Sequence, residues 1–266
     1  MEMKTNILEG TLEGFPSYDK ALIQKAYPLL SLNKQTGFSL TELKILDIYL
    51  ARINSHDPSR RTVRLKKREI ETILGVDRIR REELEKKINK LFSPVTLDID
   101  VPEGYKEAFR KMTLFEVADL YRTKDGYWEV ELCCTEKAMS VIFNIENIGY
   151  FKYRLTHILS LTSKYSYDLY LNLLHCKQEK FVIDFETLKN MMNCHSVLYL
   201  SEKPQGFKQF NFCILKPSVQ EINEKTDITV GYKVLSAKAK KCLNIDKNEN
   251  VYAFWLERKN RKKAIE

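Results

Sequence analysis

Gln209, Lys216 and Gln220 recur at spacings that bring them to one side of an α-helix, with Lys208 and Phe212 on its flanks. Phe207, Asn211, Ile214, Leu215, Ser218 and Ile222 form the opposite side. A face of carboxamides and ammonium groups suits the edges of base pairs: glutamine can bridge adenine, and lysine can reach guanine or a phosphate. Lys203 and Gln205 precede this helix, where side chains and backbone amides often clamp phosphate. The plainer alternative is a solvated face of the kind any surface helix has. Pro217 falls inside the period, and without an N–H it must kink the helix or begin a new turn.

A second helix, about residues 78–92, presents Arg78, Glu82, Lys86, Asn89 and Lys90 outward, with Arg80 and Arg81 near its start. Glu82, Glu83 and Glu85 repel phosphate unless paired, so this face fits phosphate positioning better than base reading. A salt-bridged surface with Glu82–Lys86 and Glu83–Lys87 pairs is the other reading. Arg60, Arg61, Arg64, Lys66, Lys67 and Arg68 offer further contacts to backbone charge. Lys238, Lys240 and Lys241 lie between the last two extended segments and could form a basic wing. The tail over 258–266 holds five basic residues and one acidic residue, which add nonspecific affinity or only solubility.

Other chemistries lack their residues. No G-x-x-x-x-G-K-[ST] run is present, which argues against a P-loop ATPase. The histidines at 56, 157, 175 and 195 form no H-x-H or H-E-x-x-H pattern, and no carboxylate pair suggests a two-metal site. A strand-nicking enzyme with a tyrosine nucleophile is therefore disfavoured, although 14 tyrosines are available. His175-Cys176 and Cys194-His195 have zinc-like ligand chemistry, but adjacent ligands leave no loop to wrap a metal. The expectation is a protein without catalysis, cofactor or metal.

The chain has 266 residues, 44 Lys+Arg against 36 Asp+Glu, and a net charge of +8. With 44% hydrophobic residues and only nine Gly and seven Pro, it has globular composition, which excludes extensive disorder and collagen-like repeats. No apolar run approaches the roughly 18 residues of a membrane span. The first 17 residues lack a secretory pattern. A cytoplasmic location follows, with the six cysteines reduced and mostly buried. The charge is uneven. Residues 60–90 hold 12 basic and 6 acidic residues, and 203–241 hold 8 and 3, whereas 92–202 hold 12 and 16. Two separated basic segments suggest two contact surfaces for a polyanion, with chance clustering as the alternative.

The elements that position these residues repeat. Leu40-Thr41-x5-Asp47-Ile48-Tyr49-Leu50 returns as Leu161-Thr162-x5-Asp168-Leu169-Tyr170-Leu171, 121 residues later. Each copy reads as a helix, then an extended stretch (62–65 and 180–183), then a short amphipathic helix. The apolar positions of that short helix are Ile70, Ile73 and Leu74 in one copy and Leu188, Met191 and Met192 in the other. Gly75 and Asn193 suit the left-handed ends of these helices. The second helices follow, about 78–92 and 206–223. Two extended segments close each copy: 111–121 and 127–133 around Lys124-Asp125-Gly126, then 228–235 and 251–256. Helix, strand, helix, turn, helix, hairpin is the winged-helix order, in which the helix after the turn enters a groove and the hairpin forms the wing. A short helix over 136–142 and a linker separate the copies.

The second copy carries Ser163-Lys164-Tyr165-Ser166-x-x-Leu169-Tyr170-x-x-Leu173-Leu174. It also carries Phe207-Lys208-x-Phe210-x-x-x-Ile214-Leu215-Lys216-Pro217-Ser218-Val219-x-Glu221-Ile222-Asn223, followed by Thr226-Asp227. These segments resemble the replication initiators of iteron plasmids, the two-winged-helix Rep proteins. Residues 40–57, with Ala51-Arg52-Ile53-Asn54, resemble their first domain more loosely. The resemblance spans about 38–257. It implies a double-stranded DNA-binding initiator that binds direct repeats at a plasmid origin, with the 207–223 helix as the main reading element. It also implies local melting of DNA, recruitment of the host initiator and replicative helicase, and homodimers formed through the first domain. Two departures stand out: Ser218 where the family often has alanine, and a long 236–250 connection in place of a short wing.

The expected architecture is α+β, with two tandem winged-helix domains. A weakly ordered segment occupies 1–25, the first domain 26–145 (dimerisation and phosphate contacts), the second 146–257 (DNA reading), and a basic tail 258–266. The expected DNA-facing residues are Lys203, Gln205, Lys208, Gln209, Lys216, Gln220, Lys238 and Lys240 in the second domain, with Arg78, Arg80, Arg81, Lys86 and Lys90 in the first. A transcriptional repressor that never initiates is the nearest alternative function, and a strand-nicking enzyme is a more distant one.

Overall fold

The computed structural model describes residues 20–30, 32, 37–53, 57, 59–66, 68–98, 101–143, 149–176, 178–196, 199, 205–246 and 249–259. The chain divides into two compact units, Met1–Leu159 and Ser160–Glu266.

The first unit opens on β1 (Leu22–Ala26) and a 3-10 turn (Tyr27–Leu30). Helix α1 (Leu40–Arg52) follows, and Glu42 reaches back to accept the Ser39 N–H at 2.5 Å, half of a capping box. The chain continues through β2 (Thr62–Leu65), α2 (Glu69–Leu74) and α3 (Arg81–Leu91). Then come β3 (Val95–Asp98), β4 (Phe109–Met112), β5 (Phe115–Arg122), β6 (Trp128–Cys134) and α4 (Glu136–Phe143). β7 (Tyr150–Arg154) and α5 (Leu155–Ser160) complete it. Strands β2, β6 and β5 form one antiparallel sheet in that order. The hairpin turn sits at Asp125-Gly126 as expected, with Gly126 at φ 86. Gly75 ends α2 in the left-handed region that its sequence position predicts.

Three expectations for this unit need correction. Leu22–Ala26 is a strand, not weakly ordered chain, because it pairs antiparallel with Tyr150–Arg154. That pairing draws 150–154 into the first unit, so the division falls after Leu159 instead of residue 145. The extended segment expected over 111–121 is two strands: β4 pairs with β3 in a separate hairpin, and β5 joins β6. Residues 1–19 of the N-terminal segment lie outside the described residues.

Helix α1 is buried from Glu42 to Leu50 on every side, packed against β1, α2 and α3. Its central acid is matched. Asp47 accepts from Lys25 of β1 at 3.0 Å and from Tyr153 of β7 at 2.8 Å, so one carboxylate ties the two-stranded sheet to the central helix. The Tyr49 hydroxyl donates to the Arg61 carbonyl at 2.5 Å, and burial pushes its pKa up.

The second unit repeats the plan. It runs α6 (Lys164–Cys176), β8 (Lys180–Asp184) and α7 (Phe185–Met191), then a long helix α8 over 206–225, β9 (Ile228–Val234), α9 (Ala237–Cys242) and β10 (Val251–Arg258). Its sheet order is β8–β10–β9, the counterpart of β2–β6–β5. Asp184 caps α7 by accepting from the Thr187 N–H at 2.8 Å, and Asn193 beyond it is left-handed at φ 51. The long connection that begins at Ser236 holds a short helix, α9, capped where Ser236 accepts from the Ala239 N–H, so Lys238, Lys240 and Lys241 lie on a helix and not on an extended wing. All six cysteines are free, but only Cys134 and Cys194 are buried, while Cys213 and Cys242 are exposed. Among the described residues no helix is long and apolar enough to cross a membrane.

Candidate nucleic-acid interface

Helix α8 has three parts: an α-helical start (Gly206–Phe210), a π turn (Asn211–Leu215) and an α-helical end (Lys216–Lys225). The π turn answers Pro217. Lys216 donates its N–H to Asn211 five residues back, and Pro217 enters the first turn of the next α segment, where a missing N–H costs least. Ser218 turns its hydroxyl onto the Ile214 carbonyl at 2.7 Å.

This turn changes which residues share a face. On an α-helix an i, i+4 row drifts about 40° per step, so four steps carry it roughly 160° around. One extra residue in a turn takes back about 100° of that drift. The result is two rows at four-residue spacing. Phe210, Ile214, Ser218 and Ile222 are buried, joined by Leu215 and Val219. Lys208, Phe212, Lys216, Gln220 and Glu224 are exposed, joined by Gln209 and Cys213. An unbroken α-helical period puts Phe207 and Asn211 in the core row; both are half-buried, and Phe210 and Val219 take those places.

The buried row is anchored by rings and by motif residues. Phe185 of α7 meets Phe207 and Phe210 edge-on at 5.3 and 5.2 Å, and Phe207 meets Tyr252 of β10 at 5.4 Å. Glu221 accepts from the Thr162 N–H at 2.7 Å, from its hydroxyl at 2.6 Å and from Lys225 at 2.8 Å, so it caps the start of α6. Burial alone raises a carboxyl pKa, yet the hydrogen bonds from Lys225 and Thr162 outweigh it and hold Glu221 at about 2. Asn223 exchanges two hydrogen bonds with Val230 of β9, at 2.9 and 2.6 Å. The Tyr170 hydroxyl donates to Asp227 at 2.9 Å. These motif residues therefore hold α8 in place, and the outer row is left for contact.

The second-unit residues expected to meet DNA separate into groups. Gln205, Lys208, Gln209 and Lys216 are exposed on or just before α8. Gln220 is exposed too, but its amide donates to Glu224 at 2.9 Å. Lys203 lies outside the described residues. Lys238 is exposed on α9. Lys240 is a correction: α9 turns it inward to 8% exposure, away from any surface contact. Sequence reasoning left Phe212 on a flank and out of the site, yet it is 70% exposed in the middle of the outer row. Its signal is a large apolar residue outside the apolar row.

In the first unit, Leu84, Ile88 and Leu91 bury one side of α3. Arg80 and Lys86 are exposed, and Lys90 is half-exposed. Arg81 is tied to Glu85 at 2.6 Å, and neither the Glu82–Lys86 nor the Glu83–Lys87 pair of the alternative, salt-bridged reading forms. Arg78 is exposed and turns to the hairpin, 5.2 Å from the Tyr127 ring. Among the described residues no three His, Cys, Asp or Glu side chains gather as a metal site.

Comparison with known proteins agrees with this arrangement. The family profile described as "Initiator Replication protein, WH1" matches residues 22–174, and that described as "Initiator Rep protein, WH2" matches residues 184–247. Among solved structures, the chain shares its fold with one described as "Crystal structure of Pi initiator protein in complex with iteron DNA", at a TM-score of 0.64 and 18% identity, over 91% of this chain and 99% of that one. No curated protein sequence matches it closely enough to count as a relative. With the first profile alone spanning more than half its length, the chain belongs to the family of initiator replication proteins built from two winged-helix domains.

Proposed function

We propose that this initiator binds direct repeats of double-stranded DNA at a plasmid origin, with α8 in the major groove as its reading helix. The observation that carries the reading is the outer row of α8: Lys208, Phe212 and Lys216 in line, with Gln209 beside them, on a helix whose other side is fixed to a sheet. Lysine and glutamine suit guanine and adenine edges, and an exposed ring suits the thymine methyl group. Gln220 reads a base only if it leaves Glu224, so its contribution is the smaller one. The family membership supports the same reading, as does the fold shared with a Pi initiator protein solved in complex with iteron DNA.

Helix α3 supplies phosphate contacts through Arg80, Lys86 and Lys90. The protein acts without catalysis, in the cytoplasm. Homodimers form through the first unit, and the bound protein opens adjacent DNA and recruits the host initiator and helicase. These last roles rest on the resemblance of the second-copy motifs.

Plasmid maintenance tests the function. A replicon carrying the origin and this gene should be lost when the gene is disrupted, and restored by the gene supplied in trans. Stable maintenance without the gene, with derepression of its own promoter, makes the protein a repressor instead. A covalent tyrosine adduct on supercoiled origin DNA makes it a nicking enzyme.

A further inference from the structure

Three arginines from three segments converge on the hairpin of the first unit. Arg68 precedes α2, Arg78 precedes α3 and Arg122 ends β5, and all three are exposed. The Arg68 guanidinium lies 4.6 Å from the Tyr127 ring centroid and donates to the Tyr127 hydroxyl at 2.6 Å. Arg78 lies 5.2 Å from the same ring, and Arg122 lies 5.8 Å from the Trp128 ring. Gly126 makes room: at φ 86, a Cβ there would meet Arg78 Nη1 at 3.1 Å and Arg122 Nη2 at 3.9 Å. Arg68 itself holds a left-handed backbone at φ 69, which an L side chain adopts only at a cost. Asp125 and Glu71 act on Arg68 from nearby, yet among the described residues none of the three arginines is in an ion pair with a carboxylate. The hydrogen bond from Arg68 lowers the Tyr127 pKa, a mark of the positive field at this spot.

Like charges repel, so three guanidiniums gathered with no carboxylate among the described residues in an ion pair with them favour a bound anion. Stacking on a ring orients a guanidinium, and beyond the one N–H that Arg68 gives the Tyr127 hydroxyl its donors remain for a phosphate. We infer that Arg68 and Arg78, set against Tyr127, and Arg122, set against Trp128, form a phosphate clamp around Gly126 at the first unit's hairpin that takes a phosphodiester of the DNA backbone. The inference rests on the DNA-binding reading above and adds an anchor that lies on neither second helix. Tyr127 is its positioning residue.

The test uses the full chain, fluorescence anisotropy, a direct-repeat duplex and a scrambled duplex, and a salt series. Arg68→Gly removes the guanidinium and supplies the residue the left-handed backbone favours, so the fold is kept; Arg122→Ala is the second variant. Each should weaken both duplexes by the same factor and flatten the slope of log K against log salt by about 0.9. Tyr127→Phe keeps the stacking face and should hold the wild-type slope, whereas Tyr127→Ala should weaken both duplexes about threefold. An unchanged slope in Arg68→Gly and Arg122→Ala overturns the clamp, and so does a loss confined to the repeat duplex. Titration with inorganic phosphate separates the sources. Tight phosphate binding that Arg68→Gly abolishes, with duplex affinity untouched, overturns the backbone assignment in favour of a small-anion site. A wild type that binds neither duplex overturns the DNA-binding reading and the clamp with it. A wild type that binds both, with variants unchanged, overturns the clamp alone.

Discussion

In the first unit, the helix after the turn is 11 residues long, opens on Glu82 and Glu83, and ties Arg81 to Glu85. In the second, the corresponding helix runs over 206–225 and carries Lys208, Gln209, Phe212 and Lys216 on its outer side with no acid until Glu224. Both stand in the same place in the same sheet-and-helix plan, β2–β6–β5 and β8–β10–β9. The scaffold is repeated and the contact chemistry is not. A helix that mixes acids with cations and keeps Arg80, Lys86 and Lys90 out of the Arg81–Glu85 ion pair suits backbone positioning, while one that sets amides, ammonium groups and a ring in line suits base edges.

The repeated core residues teach the same lesson. Asp-x-Tyr recurs in α1 and α6, but its partners differ. Tyr49 donates to the Arg61 carbonyl, and Tyr170 donates to Asp227. Asp47 pairs with Lys25 of a strand, β1, that the first unit adds to the shared plan. The largest effect should follow from breaking that addition. Asp47→Ala removes the carboxylate that faces a buried ammonium and should destabilise the first unit by about 3–5 kcal/mol, read by denaturant unfolding. A loss below ~1 kcal/mol would show that Lys25 finds solvent and that the β1–β7 sheet is marginal to the fold.

The contrast between the two helices is sharpened next. Lys208→Ala with Gln209→Ala should cost roughly 1–3 kcal/mol each on the repeat duplex and far less on a scrambled one, by anisotropy at fixed salt. Equal loss on both would move α8 into the phosphate-positioning class.

A smaller effect separates the units by pH. Glu221 sits at about 2, below an ordinary glutamate near 4.5, so its stabilisation is complete above the unfolded pKa and fades as pH falls toward the folded one. The second unit should therefore lose stability between about pH 4.5 and 2. Glu221→Gln should cost about 2 kcal/mol at pH 7 and flatten that acid loss in a pH series of melts. An unchanged acid profile in the variant would remove Glu221 as the cause.

The smallest change expected is on α3. Lys86→Ala should weaken every duplex alike and lower the salt slope by about one. Loss confined to the repeat would make α3 a second reader and erase the contrast.

Much of this plan was legible in the sequence because it is local. The Leu40 and Leu161 repeats, the Asp125-Gly126 turn and the helix ends at Gly75 and Asn193 depend on neighbours a few residues away. What escaped is non-local or breaks a period. β1 is only five residues long, and its partner lies at 150–154. The π turn shifts the faces of α8, which exposes Phe212 and buries Phe210. Lys240 turns inward because the connection folds into a helix. The arginines on the Tyr127 and Trp128 rings come from segments spread over residues 68–122 and meet at the hairpin.

The central claim is that α8 reads a repeated sequence. Fluorescence anisotropy of the wild-type protein on the direct repeats flanking its own gene, against a scrambled duplex across a salt series, tests it most directly. The account predicts a preference for the repeats of about a thousandfold or more, with a steep salt dependence shared by both duplexes. Equal affinity for the two at every salt concentration would contradict it.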